Sequence, residues 1–459
     1  MPARRVMVVG LDCVPPRFAF DLFLDVMPNL ARLMEQGIHG PMRSCVPPIT
    51  VPAWSAMFSG RDPGELGIYG FQQPLANSYK KRLIHPKDIL QPRAWHLAQD
   101  AGKRVAVLFM PPSYPPEKLN GVQISCFLTP DADSPHTYPP ALAAELRAQF
   151  GPYRMDVDEF RTENKAPVLQ AILDMTRQHF DIACHVWKTQ APDLMTMVAI
   201  GPDRFHHAFF REIEPNHPQH DPTNPFTHAG KQFYAFLDQQ LGRLLQLADP
   251  DTAVMVVSDH GARPLLGGIC INEWLIQQGY LKLHQYPRSA TPFAKLAVDW
   301  SRTLAYGEGG YCGRIRVNQR GREPEGCVAP EEVPALLDRI ERAISQIPDA
   351  QGRPLWHRVV RADHYRARRG TPPELQVFFG DLDYRAIATV GHQSLHLPGN
   401  DGGPDGCNHD WNGIFVLSGA GVASRSLQMQ VSLYDVARTI LGLLGVGAPA
   451  DLLGVDRSS

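Results

Sequence analysis

The apolar positions of this chain fall into short unbroken runs separated by stretches of helical spacing. Residues 6–10 (VMVVG), 105–110, 194–200 (LMTMVAI), 253–258 (AVMVVS) and 413–417 (GIFVL) each read as a strand without polar alternation. Such runs belong to strands covered on both faces, as in a parallel sheet. Residues 28–37 (PNLARLMEQG) have apolar residues at helical spacing and a glycine stop. Residues 51–58, 233–247 and 432–443 read as further helices. Strands alternating with helices predict an α/β sheet layered between helices. The rhythm breaks twice. Residues 110–165 are rich in proline and poor in strand signals, and 265–360 hold a Gly-rich stretch (305–326) and a helix near 331–346. The second break is read as a small inserted cap at 265–360, leaving a core of 1–264 and 361–459.

Composition narrows the partners. The chain has 459 residues, 45 Lys+Arg against 47 Asp+Glu and a net charge of −2, so no overall field attracts a nucleic acid polymer or an anionic membrane. No segment reaches the roughly 18–20 apolar residues of a transmembrane helix. The apolar run 6–10 is too short for a signal peptide, and a cytoplasmic location is expected. The eight cysteines form no CxxC pair and read as reduced, mostly buried thiols.

Candidate chemistry sits at the strand ends. Asp12 follows the first strand, Asp203 and His207 follow 194–200, Asp259 and His260 follow 253–258, and His409 precedes 413–417. Ligands of open α/β sheets bind beyond the carboxyl ends of strands. Asp203 and His207, at i and i+4, share one helix face and can grip one ion. Six O/N donors without sulfur suit two divalent ions, Zn²⁺ first, with Mn²⁺ or Fe²⁺ as alternatives. Thr50 lies near the start of helix 51–58, where Pro52 suits the first turn. It reads either as a plain N-cap or as a nucleophile whose hydroxyl a metal activates beside a phosphate-binding helix end.

The order Gly10-Leu-Asp12, Pro-Pro-Ile-Thr50-Val-Pro-Ala-Trp54, Ser59-Gly-Arg-Asp-Pro-Gly64 with Gly67-Ile, Asp203…His207, Ser-Asp259-His260-Gly and Asn-His409-Asp resembles the alkaline phosphatase superfamily. More closely, it resembles the type I phosphodiesterase/nucleotide pyrophosphatase family. The resemblance implies a three-layer α/β/α sandwich with a mostly parallel central sheet. It implies one ion held by Asp12, Asp259, His260 and the nucleophile Thr50, and another held by Asp203, His207 and His409. The implied reaction is hydrolysis of a phosphodiester or phosphoanhydride in a small-molecule substrate, through a phospho-threonine adduct. Two positions depart from the family pattern. Leu66 stands where histidine often precedes the Gly-Ile, and Gly70-Phe71-Gln72-Gln73 stands where an asparagine usually binds a phosphoryl oxygen. Gln72 or Gln73 is the expected substitute donor.

Rival readings share parts of this pattern. A sulfatase would need an arginine two residues after Pro47 of the Cys45-Val-Pro-Pro-Ile49 segment, and none is there. A phosphomonoesterase, phosphonate hydrolase or phosphomutase would use the same core. A metal-binding scaffold is the non-enzymatic alternative; against it stands the complete set of six ligands plus Thr50, of which a degraded enzyme would be expected to have lost at least one. The Gly-rich 307–326 lacks GxxxxGK[ST] and is not a phosphate loop. Its Arg314, Arg316, Asn318 and Arg322 are either cap groups that meet substrate or parts of a solvated hairpin.

Overall fold

The computed structural model describes residues 3–422 and 427–458. The chain divides into two compact units, one of residues 1–70, 84–262 and 409–459, the other of 71–83 and 263–408.

The first unit is built on one sheet, ten-stranded among the described residues. Along the chain its elements are β1 (Arg5–Leu11), α1 (Pro28–Gln36), β2 (Ile38–Arg43), α2 (Thr50–Ser59), β3 (Val105–Leu108), β4 (Gly121–Ile124) and β5 (Thr137–Tyr138). There follow α3 (Lys165–Gln190), β6 (Leu194–Ala199), α4 (Gly201–Ile213), α5 (Ala229–Leu245), β7 (Thr252–Val257), β8 (Asn412–Gly419), β9 (Leu427–Gln428), β10 (Val431–Ser432) and α6 (Asp435–Leu443). The strand order is β9-β2-β8-β7-β1-β6-β3-β4-β5, with β10 also on β2. β6, β1 and β7 run parallel, and β8 lies antiparallel between β7 and β2. Nearly every residue of β1, β6 and β7 is buried, which is why their sequences show no alternation. The helices form two packed groups, α1 with α3, α4 and α5, and α2 with α6 and the short helix Ala94–Asp100. A sheet buried on both faces between two helical groups is the expected α/β/α sandwich. Among the described residues, no helix is long and apolar enough to cross a membrane.

Two parts of the first unit differ from the sequence expectation. The stretch 110–165 is not an insertion: β4 and β5 extend the central sheet, and a helix, Ala141–Phe150, follows. The 26-residue α3 was hidden because its buried face mixes Val168, Ile172 and Met175 with Thr176, Gln178 and His179.

The second unit is larger than the expected cap of 265–360, because it takes in Phe71–Leu83 and runs to Asn408. Strand Leu375–Phe379, which sequence rhythm assigns to the core, pairs between Gly313–Val317 and His357–Arg361 in an antiparallel sheet. Helix Val333–Ile344 buries Leu336, Leu337, Ile340 and Ile344 in that unit's core. The hairpin of Gln72–Pro74 and Lys81–Leu83 is tied in by Tyr79, stacked on Trp300 at 3.5 Å. The Gly-rich stretch is not a solvated hairpin. Arg316 and Asn318 are buried, Arg316 donates to Glu308 at 2.6 Å, and Arg322 is paired with Glu374.

Candidate active site

Register brings the predicted residues together. In β6-β1-β7 the carboxyl ends are level, Leu11 opposite Ala199 and Gly10 opposite Val257. Asp12, the first turn of α4 and Asp259-His260 therefore emerge side by side. Antiparallel β8 enters at the same edge, Phe415 opposite Val257, and delivers His409. β2 leaves at that edge, Arg43 opposite Asn412, and its following loop leads into α2 and Thr50. Ser44 fixes that loop by donating its hydroxyl to the Asp259 carbonyl at 2.6 Å.

Asp12, Thr50, Asp203, His207, Asp259, His260 and His409 are all buried in the first unit. Thr50 is not the N-cap. Ile49 holds that position in extended backbone, so Thr50 is the first helical residue and its hydroxyl is not spent on capping. Thr50 Oγ1 lies 3.3 Å from His260 Nε2. His207 Nε2 lies 3.3 Å and His409 Nε2 3.7 Å from Asp203 Oδ1. His260 Nε2 lies 3.1 Å from Asp259 Oδ2 and 3.7 Å from Asp12 Oδ1.

Each carboxylate has one oxygen tied down and the other turned to the histidines. Trp54 Nε1 donates to Asp12 Oδ2 at 2.7 Å, Arg204 Nη1 to Asp203 Oδ2 at 2.5 Å, and the Cys13 N–H to Asp259 Oδ1 at 3.3 Å. Arg204 is held in turn by both oxygens of Asp156, each at 2.7 Å. The remaining oxygens, Asp12 Oδ1, Asp203 Oδ1 and Asp259 Oδ2, are buried and accept no hydrogen bond among the described residues. Buried charge of that kind calls for cations.

The imidazoles are set as neutral donors. His260 Nδ1–H donates to the Gly261 carbonyl at 3.1 Å and His409 Nδ1–H to the Pro48 carbonyl at 2.8 Å. Those bonds fix the tautomers and turn both Nε2 lone pairs to the carboxylates. Burial lowers His260 to about 4, and burial with His260 alongside holds His409 well below its usual value. Burial and then Asp203 push Asp12 up, and burial and then Asp12 push Asp259 up. Burial also opposes ionisation of Asp203, yet His207, Arg204 and His409 together hold it well below the carboxylate range. Donor atoms of Asp12, Asp203 and His260, and of Asp203, His207 and His409, lie within 4.8 Å of one another in each group. The two groups share Asp203. Buried oxygen and neutral nitrogen donors in that arrangement fit a pair of divalent ions.

His206, beside His207, belongs to the core instead. Its Nε2 lies 2.9 Å from the Tyr234 hydroxyl, and burial lowers it to about 3. Gln72 and Gln73 lie on the hairpin of the second unit, Gln72 exposed and Gln73 half-buried. Trp54 and the Arg204–Asp156 pair were not assigned roles from sequence. A fully buried indole N–H needs an acceptor, which is the one signal that pointed at Trp54.

The sequence profile of the type I phosphodiesterase/nucleotide pyrophosphatase family matches residues 6–405. The chain belongs to this family. It is thus a phosphodiesterase-family enzyme of the alkaline phosphatase superfamily. Solved structures agree on the fold. Human ectonucleotide pyrophosphatase/phosphodiesterase 5 is 12% identical with a TM-score of 0.55, over 97% of this chain and 96% of that one. Its murine counterpart, in an inactive form complexed with AMP, is 12% identical with a TM-score of 0.55, over 99% and 97%. Phosphonoacetate hydrolase from Sinorhizobium meliloti 1021, complexed with phosphonoformate, is 16% identical with a TM-score of 0.55, over 97% and 96%. A comparison with curated proteins finds no match.

Proposed function

We propose that this phosphodiesterase-family enzyme hydrolyses phosphodiester or phosphoanhydride bonds of a small-molecule substrate through a covalent adduct on Thr50. The observation that carries this reading is the Thr50 hydroxyl. It is buried at the start of α2, spared from capping and 3.3 Å from His260 Nε2, among three carboxylates. Two divalent ions, Zn²⁺ before Mn²⁺ or Fe²⁺, held by Asp12, Asp259, His260 and Thr50 and by Asp203, His207 and His409, would acidify that hydroxyl and neutralise phosphoryl charge.

The chain's own groups do the rest. The N-terminal end of α2 presents backbone N–H groups and the positive end of its dipole to a phosphoryl oxygen. Thr50 Oγ1 forms a bond to phosphorus as the bond to the leaving oxygen breaks, and the leaving group departs with the proton that Thr50 gave up. Water then replaces Thr50 at phosphorus and restores the hydroxyl. Trp54, Arg204 and the Cys13 N–H keep the three carboxylates oriented throughout. The murine relative complexed with AMP supports a nucleotide-like phosphoester as the substrate class.

The test is paired hydrolysis of an aryl phosphomonoester and the matching bis-aryl phosphodiester by metal-loaded protein. The diester is expected to be preferred, and Thr50→Ala is expected to lose turnover of both while keeping fold and metal. A variant turning over at the wild-type rate removes Thr50 from the mechanism. A monoester preference moves the protein to the phosphatase or mutase branch.

A further inference from the structure

Cys13 stands out beside Asp12. Its φ is 66°, in the left-handed region that favours glycine. A non-glycine residue held there at a functional site invites the question of what its side chain supplies. The Cys13 thiol is buried and is not part of a disulfide. Its Sγ lies 3.5 Å from the Gly261 carbonyl, the same carbonyl that receives His260 Nδ1–H. Cys13 Sγ and one ring nitrogen each of His260 and His409 lie within 4.8 Å of one another. The two rings stack at 3.7 Å. Independently, Asp12 and Asp259 each bring a buried oxygen with no hydrogen bond among the described residues.

We infer that Cys13, His260 and His409 form a thiophilic cation site that overlaps the two-metal site and takes a soft divalent ion such as Cd²⁺. The inference rests on the two-metal reading, in which His260 and His409 serve different ions. A cation held by Cys13 and both histidines draws one ligand from each. It is therefore a competitor of the catalytic pair. Binding forms a sulfur–metal bond and releases the thiol proton to solvent. Hard ions such as Mn²⁺ have little affinity for sulfur and ignore this site.

The full chain, freed of metal by a chelator, is titrated with Cd²⁺ while ultraviolet difference absorbance and bound metal per chain are recorded. Cys13→Gly is titrated in parallel, because left-handed backbone accommodates glycine and the variant keeps its fold. Mn²⁺ uptake by both proteins reads the oxygen and nitrogen donors alone. The wild type is expected to develop thiolate-to-cadmium charge-transfer absorbance as Cd²⁺ binds. Cys13→Gly is expected to lose that absorbance while still binding Mn²⁺. Wild-type protein that binds Cd²⁺ without the absorbance, or a variant that retains it, overturns the thiophilic site and leaves the two-metal reading standing. Wild-type protein that takes up neither ion overturns both.

Discussion

Replacing Trp54 by phenylalanine keeps an aromatic ring against β1 and removes one N–H. Asp12 Oδ2 then loses its 2.7 Å donor inside a fully buried site. The expected loss is about 1–3 kcal/mol, read by urea unfolding, together with weaker metal retention. An unchanged midpoint and metal content would show that the bond does not position Asp12. His409→Ala is expected to lower bound metal from two ions towards one per chain, read by elemental analysis; unchanged stoichiometry would remove His409 from the ligand set. The six proposed ligands and Thr50 were legible because each stands beside an apolar run or at a helix start. The residues that orient them were not. Trp54, Asp156 and Cys13 act through contacts made by residues 42, 48 and 246 positions away. No local pattern encodes pairings of that range.

Between elements, spacing decides. A Cβ on Gly10 would lie 2.5 Å from Trp54 Cη2 and 2.8 Å from the Met197 carbonyl oxygen. Neither a packed indole nor a neighbouring strand's backbone can give way cheaply. Gly10→Ala is therefore expected to cost about 1–3 kcal/mol by pushing α2 from the sheet, and to lower turnover with it. Denaturant unfolding and paired-substrate rates would check this; a neutral variant would mean that α2 is free to shift. The central parallel strands β1, β3, β6 and β7 were readable as unbroken apolar runs. β2 was not, because its sequence IHGPMR carries Gly40 and Pro41 and lacks a β-branched run. Yet β2 delivers the loop that ends in Thr50, so the support of the proposed nucleophile was the less visible part of the sheet.

At the scale of the molecule, the second unit has its own buried charge. Glu308 is paired with Arg316 at 2.6 Å, Lys81 at 3.2 Å and Arg314 at 3.3 Å. Burial opposes its ionisation, yet Arg316, Arg314 and Lys81 lower Glu308 to about 2. A carboxyl depressed on folding stabilises the folded state above its unfolded value, about 4.3, and loses that contribution as pH falls towards 2. Acid unfolding of this unit is therefore expected across that window. Glu308→Gln should flatten the acid dependence and destabilise the unit by about 3–5 kcal/mol near neutrality, because two arginines and a lysine lose their shared anion. Circular dichroism followed from pH 5 to 2 decides it: an acid profile identical to wild type would rule out Glu308 as the titrating group. The extent of this unit was the least legible feature. Its segments are far apart in sequence, and the hairpin 71–83 joins it through Tyr79 and Lys81, which no periodicity marks.

The missing cap of α2 has one more consequence. Ile49 offers no side-chain hydrogen bond to the first turn of that helix, although helices commonly spend a serine, threonine or aspartate there. On the proposed reading, a phosphoryl group arriving at Thr50 would complete the helix from outside. Substrate is then a structural component as well as a reactant, and the resting enzyme is a fold waiting for its last hydrogen bonds. Orthophosphate or orthovanadate should accordingly raise the melting temperature of metal-loaded protein in a concentration-dependent way.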